Sequence, residues 1–271
     1  MTNRNPKNYK EFNKEYNKEY NKDNFKDNDN DNDTPRVWDE VSISFDDMDL
    51  SDEILRGIYS FGFERPSCIQ QKAIVPLSRG FDVVAQAQSG TGKTGAFTVG
   101  VLNQIKSHVY STQAIFLAPT RELVLQIYNV ITDISKYIED LYITRVIGGT
   151  EVNDDIKTLK KGVHIIIGTP GRLYDLMERG VIYTNGLKSF IIDEADQMLA
   201  SDFKDQVHRI MKRIPNSCQI GIFSATLPEN VMQLTKHFMK NPIHILVKTV
   251  ELTLEGIKQY FVDASCEDWK Y

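Results

Sequence analysis

The run Ala87-Gln88-Ser89-Gly90-Thr91-Gly92-Lys93-Thr94 sets two glycines, a lysine and a threonine at the spacing that wraps a phosphate group. Gly90 and Gly92 permit a tight backbone path whose amides converge on phosphate oxygens. Lys93 supplies a point charge and Thr94 a hydroxyl for Mg2+. Ala87 stands where the general pattern has its first glycine. About a hundred residues on, the apolar run Phe190-Ile191-Ile192 ends in Asp193-Glu194-Ala195-Asp196. Acids directly after a core strand are costly unless employed. Asp193 is suited to face a metal ion, directly or through water. Glu194 is suited to accept a proton from the attacking water of an in-line phosphoryl transfer. Taken alone, these four residues would equally cap the following helix.

Other residues fit around that pair. In Gly62-Phe63-Glu64-Arg65-Pro66-Ser67-Cys68-Ile69-Gln70 the Gln70 amide offers one donor and one acceptor, a match for the N6 and N7 edge of adenine, and Phe63 or Phe45 could contact the base. That favours ATP over GTP; in isolation Gln70 reads as a surface helix residue. Thr120 and Thr169 each follow a strand and open a helix, and Pro170 suits the first helical position. Arg121, Arg172 and the unobstructed amides of Gly149 and Gly171 could track a sugar-phosphate backbone without reading its sequence. Ordinary capped connections would look the same. Ser224 and Thr226 close another strand, from which their hydroxyls could hydrogen-bond Asp196.

These residues need a scaffold, and the hydrophobic pattern predicts one. Short apolar runs at 82–86, 114–118, 142–147, 164–168, 189–193, 219–223 and 243–247 read as strands. Between them, 93–107, 121–137, 202–213 and 229–239 show helical spacing. Seven strands with intervening helices predict an α/β domain, a doubly wound, mostly parallel sheet flanked by helices, with ligands beyond the carboxyl ends of the strands.

The 271 residues are 41% hydrophobic and 25% charged, with a net charge of −5, as in an ordinary globular domain. No stretch approaches the roughly 18 apolar residues of a membrane helix, and the polar start is unlike a secretory signal. The expectation is an intracellular protein, cytoplasmic or nuclear, with no membrane partner. Cys68, Cys218 and Cys266 lie too far apart for a zinc site or disulfide framework and read as reduced bystanders. Residues 1–34 hold ten Asn, with seven Lys or Arg against eight Asp or Glu and few aliphatics, which predicts a disordered low-complexity tail. The global charge decides little about nucleic-acid binding, since a local groove can differ from the total.

In this order the motifs resemble the first RecA-like domain of the DEAD-box RNA helicases. The Q motif ends at Gln70 and motif I is Ala87–Thr94, followed by Gly95. Motif Ia is Pro119-Thr120-Arg121-Glu122-Leu123, and a Gly148-Gly149 pair comes next. Motif Ib is Thr169-Pro170-Gly171-Arg172, motif II Asp193–Asp196 and motif III Ser224-Ala225-Thr226. Gly57-Ile58-Tyr59 and Glu251–Gln259 are similar to the translation initiation factor 4A group and its exon-junction paralogue. The resemblance implies a P-loop NTPase fold over residues 35–248, with 249–271 as a linker and the start of a second RecA-like domain. It implies ATP and Mg2+ as cofactors and single-stranded RNA as partner, with translation-initiation or exon-junction proteins beyond. It places Phe45, Phe63, Arg65, Gln70 and residues 88–95 (Gln88, Ser89, Gly90, Thr91, Gly92, Lys93, Thr94, Gly95) at ATP. It places Pro119, Thr120, Arg121, Gly149, Thr169, Gly171 and Arg172 at RNA. Lys93, Thr94, Asp193, Glu194, Asp196, Ser224 and Thr226 become the catalytic set, Thr94 and Asp193 holding the metal, and Ser224 and Thr226 would let the RNA side feel the nucleotide state.

The family's arginine fingers belong to its second domain. Such a group is worth roughly 10³–10⁵ in rate, so the 271 residues alone are expected to bind nucleotide and barely hydrolyse it. An ATP-dependent helicase is the leading reading. An ATP-locked RNA clamp that nucleates a ribonucleoprotein complex is the alternative, and a DNA translocase or another phosphate-loop ATPase is a third.

Overall fold

The computed structural model describes residues 38, 40–200 and 202–247. The expected tail over 1–34, the linker over 249–271, Glu251–Gln259 and Cys266 lie outside them. Seven strands form one sheet: β1 Val83–Gln86, β2 Ala114–Leu117, β3 Ile143–Val146, β4 Ile165–Gly168, β5 Ser189–Ile192, β6 Gln219–Ser224 and β7 Ile243–Leu246. All pairings are parallel, in the order β3-β4-β2-β5-β6-β1-β7. Every residue of β2, β4, β5 and β6 is buried, as expected of strands covered on both faces.

The helices are α1 Asp52–Phe61, α2 Cys68–Ser78, α3 Lys93–Leu102, α4 Arg121–Ile134, α5 Val152–Lys160, α6 Pro170–Glu178, α7 Ala195–Ala200, α8 Lys204–Met211 and α9 Glu229–Phe238. Ile58, Ile74, Phe97 and Ile127 of α1 to α4 pack in the core on one face of the sheet. Leu159, Leu173, Met198, Val207 and Leu234 of α5 to α9 pack in the core on the other. Phe97 sits between Phe116 of β2 and Phe223 of β6, with ring centroids at 5.7 and 5.1 Å. Each such buried side chain contributes about 1.5–3 kcal/mol.

Helix α3 carries the phosphate-loop residues on its first turn, so its placement matters most. It lies against α2 at Gly100, where a Cβ would come within 2.5 Å of Leu77 Cβ and 3.1 Å of the Ile74 carbonyl. Only glycine admits that approach. The helical pattern runs on to residue 107, but α3 stops at Leu102. The Gln113 side chain accepts from Lys106 N–H and donates to the carbonyls of Lys106 and Val109, holding a loop there instead. Cys68 and Cys218 are free thiols, and burial pushes Cys218 up to about 12. No helix among the described residues is long and apolar enough to cross a membrane.

Candidate functional site

The carboxyl ends of β1, β5 and β6 bring the phosphate loop, the acidic run and Ser224 together. Ala87 N–H donates to the Ser224 carbonyl at 3.1 Å, and Gln86 Nε2 to the Ala225 carbonyl at the same distance. Past Ala87 the loop turns through Gly90 and Gly92, at φ +81° and +97°. That left-handed backbone costs a non-glycine residue roughly 1–2 kcal/mol. Thr91 Oγ1 closes the turn on the Gln88 carbonyl at 2.7 Å. Gly92 then leads into α3, which begins with Lys93 and Thr94.

Lys93 is buried, and its Nζ meets Glu194 Oε1 at 3.0 Å, a pair whose side chains are 5% and 8% exposed. Ser89 Oγ donates to the same oxygen at 3.1 Å. Glu194 itself has φ +49°, a strained backbone that aims its carboxylate at the loop. Asp193 is also buried, and its Oδ1 accepts the Glu194 N–H at 3.0 Å. Burial, with help from the neighbouring Glu194 and Asp196 charges, pushes its carboxyl up to about 7 against the pull of Lys93.

Asp193 and Thr94 offer only oxygen donors, and the described residues contain no cluster of three His, Cys, Asp or Glu able to hold a metal. That donor set fits Mg2+, which is commonly held by one or two carboxylates together with phosphate oxygens and water. A buried carboxyl held near pH 7 is also a group whose ionisation a divalent cation would favour.

Burial raises the Asp196 carboxyl, yet hydrogen bonds from Thr226 and Ser224 outweigh it and hold the group below the usual range. Thr226 Oγ1 and N–H donate to Asp196 Oδ2 at 2.7 and 3.1 Å. Ser224 Oγ accepts the Asp196 backbone N–H at 3.1 Å.

Gln70 is buried rather than on the surface, which removes the reading of it as a solvent-facing helix residue. Its Oε1 accepts Ser67 N–H at 2.9 Å, completing a capping box at the start of α2, and its Nε2 donates to the Gly92 carbonyl at 3.3 Å. One N–H and one lone pair of the amide remain. Half-buried Phe63 lies beside it: a Cβ on Gly95 would fall 2.6 Å from Gln70 Nε2 and 2.9 Å from Phe63 Cε2. Arg65 is exposed nearby in sequence. Phe45 is a correction: its ring is 1% exposed in the core, 6.4 Å from that of Phe63, so it supports Phe63 and does not face a base.

The ends of β2, β4 and β3 carry a different arrangement. Pro119 is buried, and Thr120 Oγ1 accepts Leu123 N–H at 3.2 Å, capping α4. Arg121 is exposed and lies over Gly149, where a Cβ would come 2.7 Å from its Nη1; Gly149 has φ +86°. Thr169 precedes α6 without a side-chain cap, Pro170 opens the helix, and half-exposed Gly171 follows. Arg172, expected to track a backbone, is held here by protein groups. Its guanidinium pairs with Asp155 and donates to Thr150 Oγ1 at 3.1 Å and the Thr150 carbonyl at 2.7 Å. The Arg172 and Asp155 side chains are 8% and 13% exposed, so this arginine braces the Gly149-Thr150 loop from within.

Sequence reasoning missed Asp155 and Thr150, whose importance appears only once α5 and α6 are packed. The Ser67 to Gln70 capping box did carry a signal, a serine followed three residues later by glutamine.

A family model described as DEAD/DEAH box helicase matches residues 67–234. The ATP-dependent RNA helicase eIF4A of Lodderomyces elongisporus is 52% identical over 234 residues, 86% of this chain and 59% of that protein. Eukaryotic initiation factor 4A of Drosophila melanogaster is 49% identical over 233 residues, 86% of this chain and 58% of that protein. Among solved structures, a DEAD box protein from Methanococcus jannaschii matches with a TM-score of 0.74 at 35% identity. It covers 78% of this chain and 58% of that one. S. cerevisiae Dbp5 bound to RNA and ADP BeF3 matches with a TM-score of 0.71 at 34% identity, covering 80% of this chain and 55% of that one. The chain therefore spans between half and two thirds of the length of these relatives.

Proposed function

The chain belongs to the DEAD-box helicase family, and from that premise we propose that its residues bind Mg-ATP at the Lys93–Glu194 crevice and a single-stranded RNA backbone across the ends of β2, β4 and β3. The observation that carries this reading is the buried Lys93–Glu194 pair beside an Asp193 held near pH 7. Three charged groups in so dry a place make sense as a phosphate and metal site.

Lys93 exchanges Glu194 for phosphate oxygen when nucleotide enters, and the amides of the Gly90 to Gly92 turn add further donors. Glu194, released from its cation, accepts the proton of the attacking water. Mg2+, when bound, neutralises charge on the phosphate oxygens, with Thr94 and Asp193 as its protein ligands. Gln70 reads the adenine edge with its remaining donor and acceptor, and Phe63 lies under the base. Asp196 stays ionised and fixed by Thr226 and Ser224, which ties the acidic run to β6.

On the RNA side, Arg121, the Gly149 and Gly171 amides and the start of α6 follow the phosphates, and Arg172 positions the loop that does so. Residues 35–248 form this unit. Translation initiation is the process to which the named relatives point, and its proteins are the partners we propose.

Titrating Mg-ATP into wild type and Lys93→Ala tests the site. We expect at least roughly tenfold weaker binding in the variant, the value of one charge-assisted hydrogen bond. Equal affinities would mean the phosphate loop is misassigned.

A further inference from the structure

Strand β3 lies at one end of the strand order and pairs on one side only, with β4. The Tyr142 carbonyl accepts the His164 and Ile165 N–H groups at 2.9 and 3.3 Å, and the Val146 carbonyl accepts Thr169 N–H at 3.2 Å. Alternate residues of a strand turn their main-chain groups to the same neighbour, so Tyr142, Thr144 and Val146 face β4. Ile143 and Arg145 direct N–H and C=O away from the sheet, and nothing among the described residues bonds them there. The next outward carbonyl, that of Ile147, is taken by Thr150 Oγ1 at 2.9 Å. Sheet edges are ordinarily guarded by charge or proline. β3 has no proline, and the guanidinium of its one charged residue, Arg145, lies 5.2 Å from the Tyr128 ring centroid, drawn onto α4.

That edge borders a groove of about 500 Å³, with Tyr128 of α4 on one side and Glu151, Asp154 and Thr158 of α5 and its cap on the other. Main-chain donors and acceptors two residues apart match the main chain of another extended strand. A nucleic-acid backbone offers phosphates instead, and would meet acids here. Of the three carboxylates in the lining, Asp155 is committed to Arg172. Asp154 has only an exposed pair with Lys157, and Glu151 has no ion pair among the described residues. In an incoming strand, residues two apart share a face, so cations at every second position would meet Glu151 and Asp154. The alternate positions would meet Tyr128. A second copy paired antiparallel through β3 would set its own Glu151 and Asp154 on that same face, like charge beside like charge.

We propose that β3 receives an extended segment of a partner protein by strand addition, one that alternates Lys or Arg toward α5 with aliphatic residues toward α4. The main chain of Ile143 and Arg145 supplies the ladder, and Glu151 and Asp154 select the cations.

The probe is a capped heptapeptide, Lys-Val-Lys-Val-Lys-Val-Lys, compared with the same peptide N-methylated at its amides, which keeps the charge and removes the donors. Amide hydrogen exchange of the full chain is the readout. With the first peptide at saturation, the Ile143 and Arg145 amides should exchange at least about tenfold more slowly, as a newly made hydrogen bond requires. The methylated peptide should leave them unchanged. Glu151→Gln with Asp154→Asn should weaken binding roughly fivefold, the size of two exposed charge contacts. Arg145→Pro removes an N–H that has no partner on an edge strand and should weaken it at least about tenfold; if that variant does not fold, the methylated pair decides. Equal binding of the two peptides would overturn the proposal and leave only a charged surface. Slow exchange of both amides in the chain alone would overturn it too: a second copy holds the edge if the protection fades on dilution, and the chain covers its own edge if it persists. Displacement of the peptide by single-stranded RNA would assign the groove to RNA and likewise overturn it.

Discussion

The two halves of the sheet's carboxyl end solve opposite problems. At β1, β6 and β5, charges are buried and incompletely balanced: Lys93 and Glu194 have each other, while Asp193 is left with a carboxyl near pH 7. At β2, β4 and β3 the charges are matched internally, Arg172 with Asp155 and Thr150, and what faces outward is main chain at Gly149 and Gly171 with Arg121 above. The first half is poised for a ligand that completes an electrostatic set. The second is a finished surface that can receive a polymer without rearranging its interior. Binding at the first should therefore depend on metal and pH, and binding at the second on salt.

The sharpest way to break this contrast is Lys93→Ala. Leaving Glu194 as an unpaired buried charge should cost about 3–5 kcal/mol in urea unfolding, whereas replacing both partners, as in Lys93→Met with Glu194→Gln, should cost far less. If the single and double variants unfold alike, the first half is not an unbalanced charge set.

Next in size is Asp155→Ala, expected to destabilise by about 2–3 kcal/mol because the Arg172 guanidinium loses its partner in a largely buried site. RNA affinity should fall with it, while the salt dependence of RNA binding stays as in wild type. Loss of a phosphate contact from the salt slope would instead make Arg172 a backbone ligand.

Asp193 makes the pH prediction. Its folded value, about 7, lies above its ordinary 3.8, so the folded chain holds this proton after the unfolded chain has released it. Its contribution makes stability fall as pH rises from about 4 to about 7 and then level off. The difference in unfolding free energy between wild type and Asp193→Asn should show that slope, and a flat difference would remove the case for a perturbed carboxyl.

Smaller again is Thr226→Val, about 1–2 kcal/mol for a lost hydrogen bond to a partly exposed carboxylate. Smallest is Arg121→Ala on the second half. It should leave folding untouched and lower the slope of log affinity for single-stranded RNA against log salt by about 0.7, the share of one phosphate contact.

Much of this contrast is legible in the sequence itself. Seven apolar runs became seven strands because period and length leave little choice for a fully covered parallel sheet. The glycine positions of the phosphate loop reported their own left-handed backbone, and Thr226 bonds Asp196 as the strand ends suggested. What the sequence did not reveal has one cause. Phe45 and Phe63 are alike as residue types, and only the packing of the turn at Phe45 beneath Phe63 decided that one is core and the other half-open. The Arg172–Asp155 pair could not be read in advance, because nothing local in the sequence links residue 172 to residue 155.

The chain's own order of residues thus determined which groups exist at each strand end, since strand, turn and helix start are set by neighbours within a few positions. Tertiary structure alone decided which of those groups are spent on one another. Pairing Lys93 with Glu194 joins residues 101 apart, and pairing Arg172 with Asp155 joins two helices. Whether a charge is free or satisfied depends on distance in space and on burial, neither of which a linear pattern records.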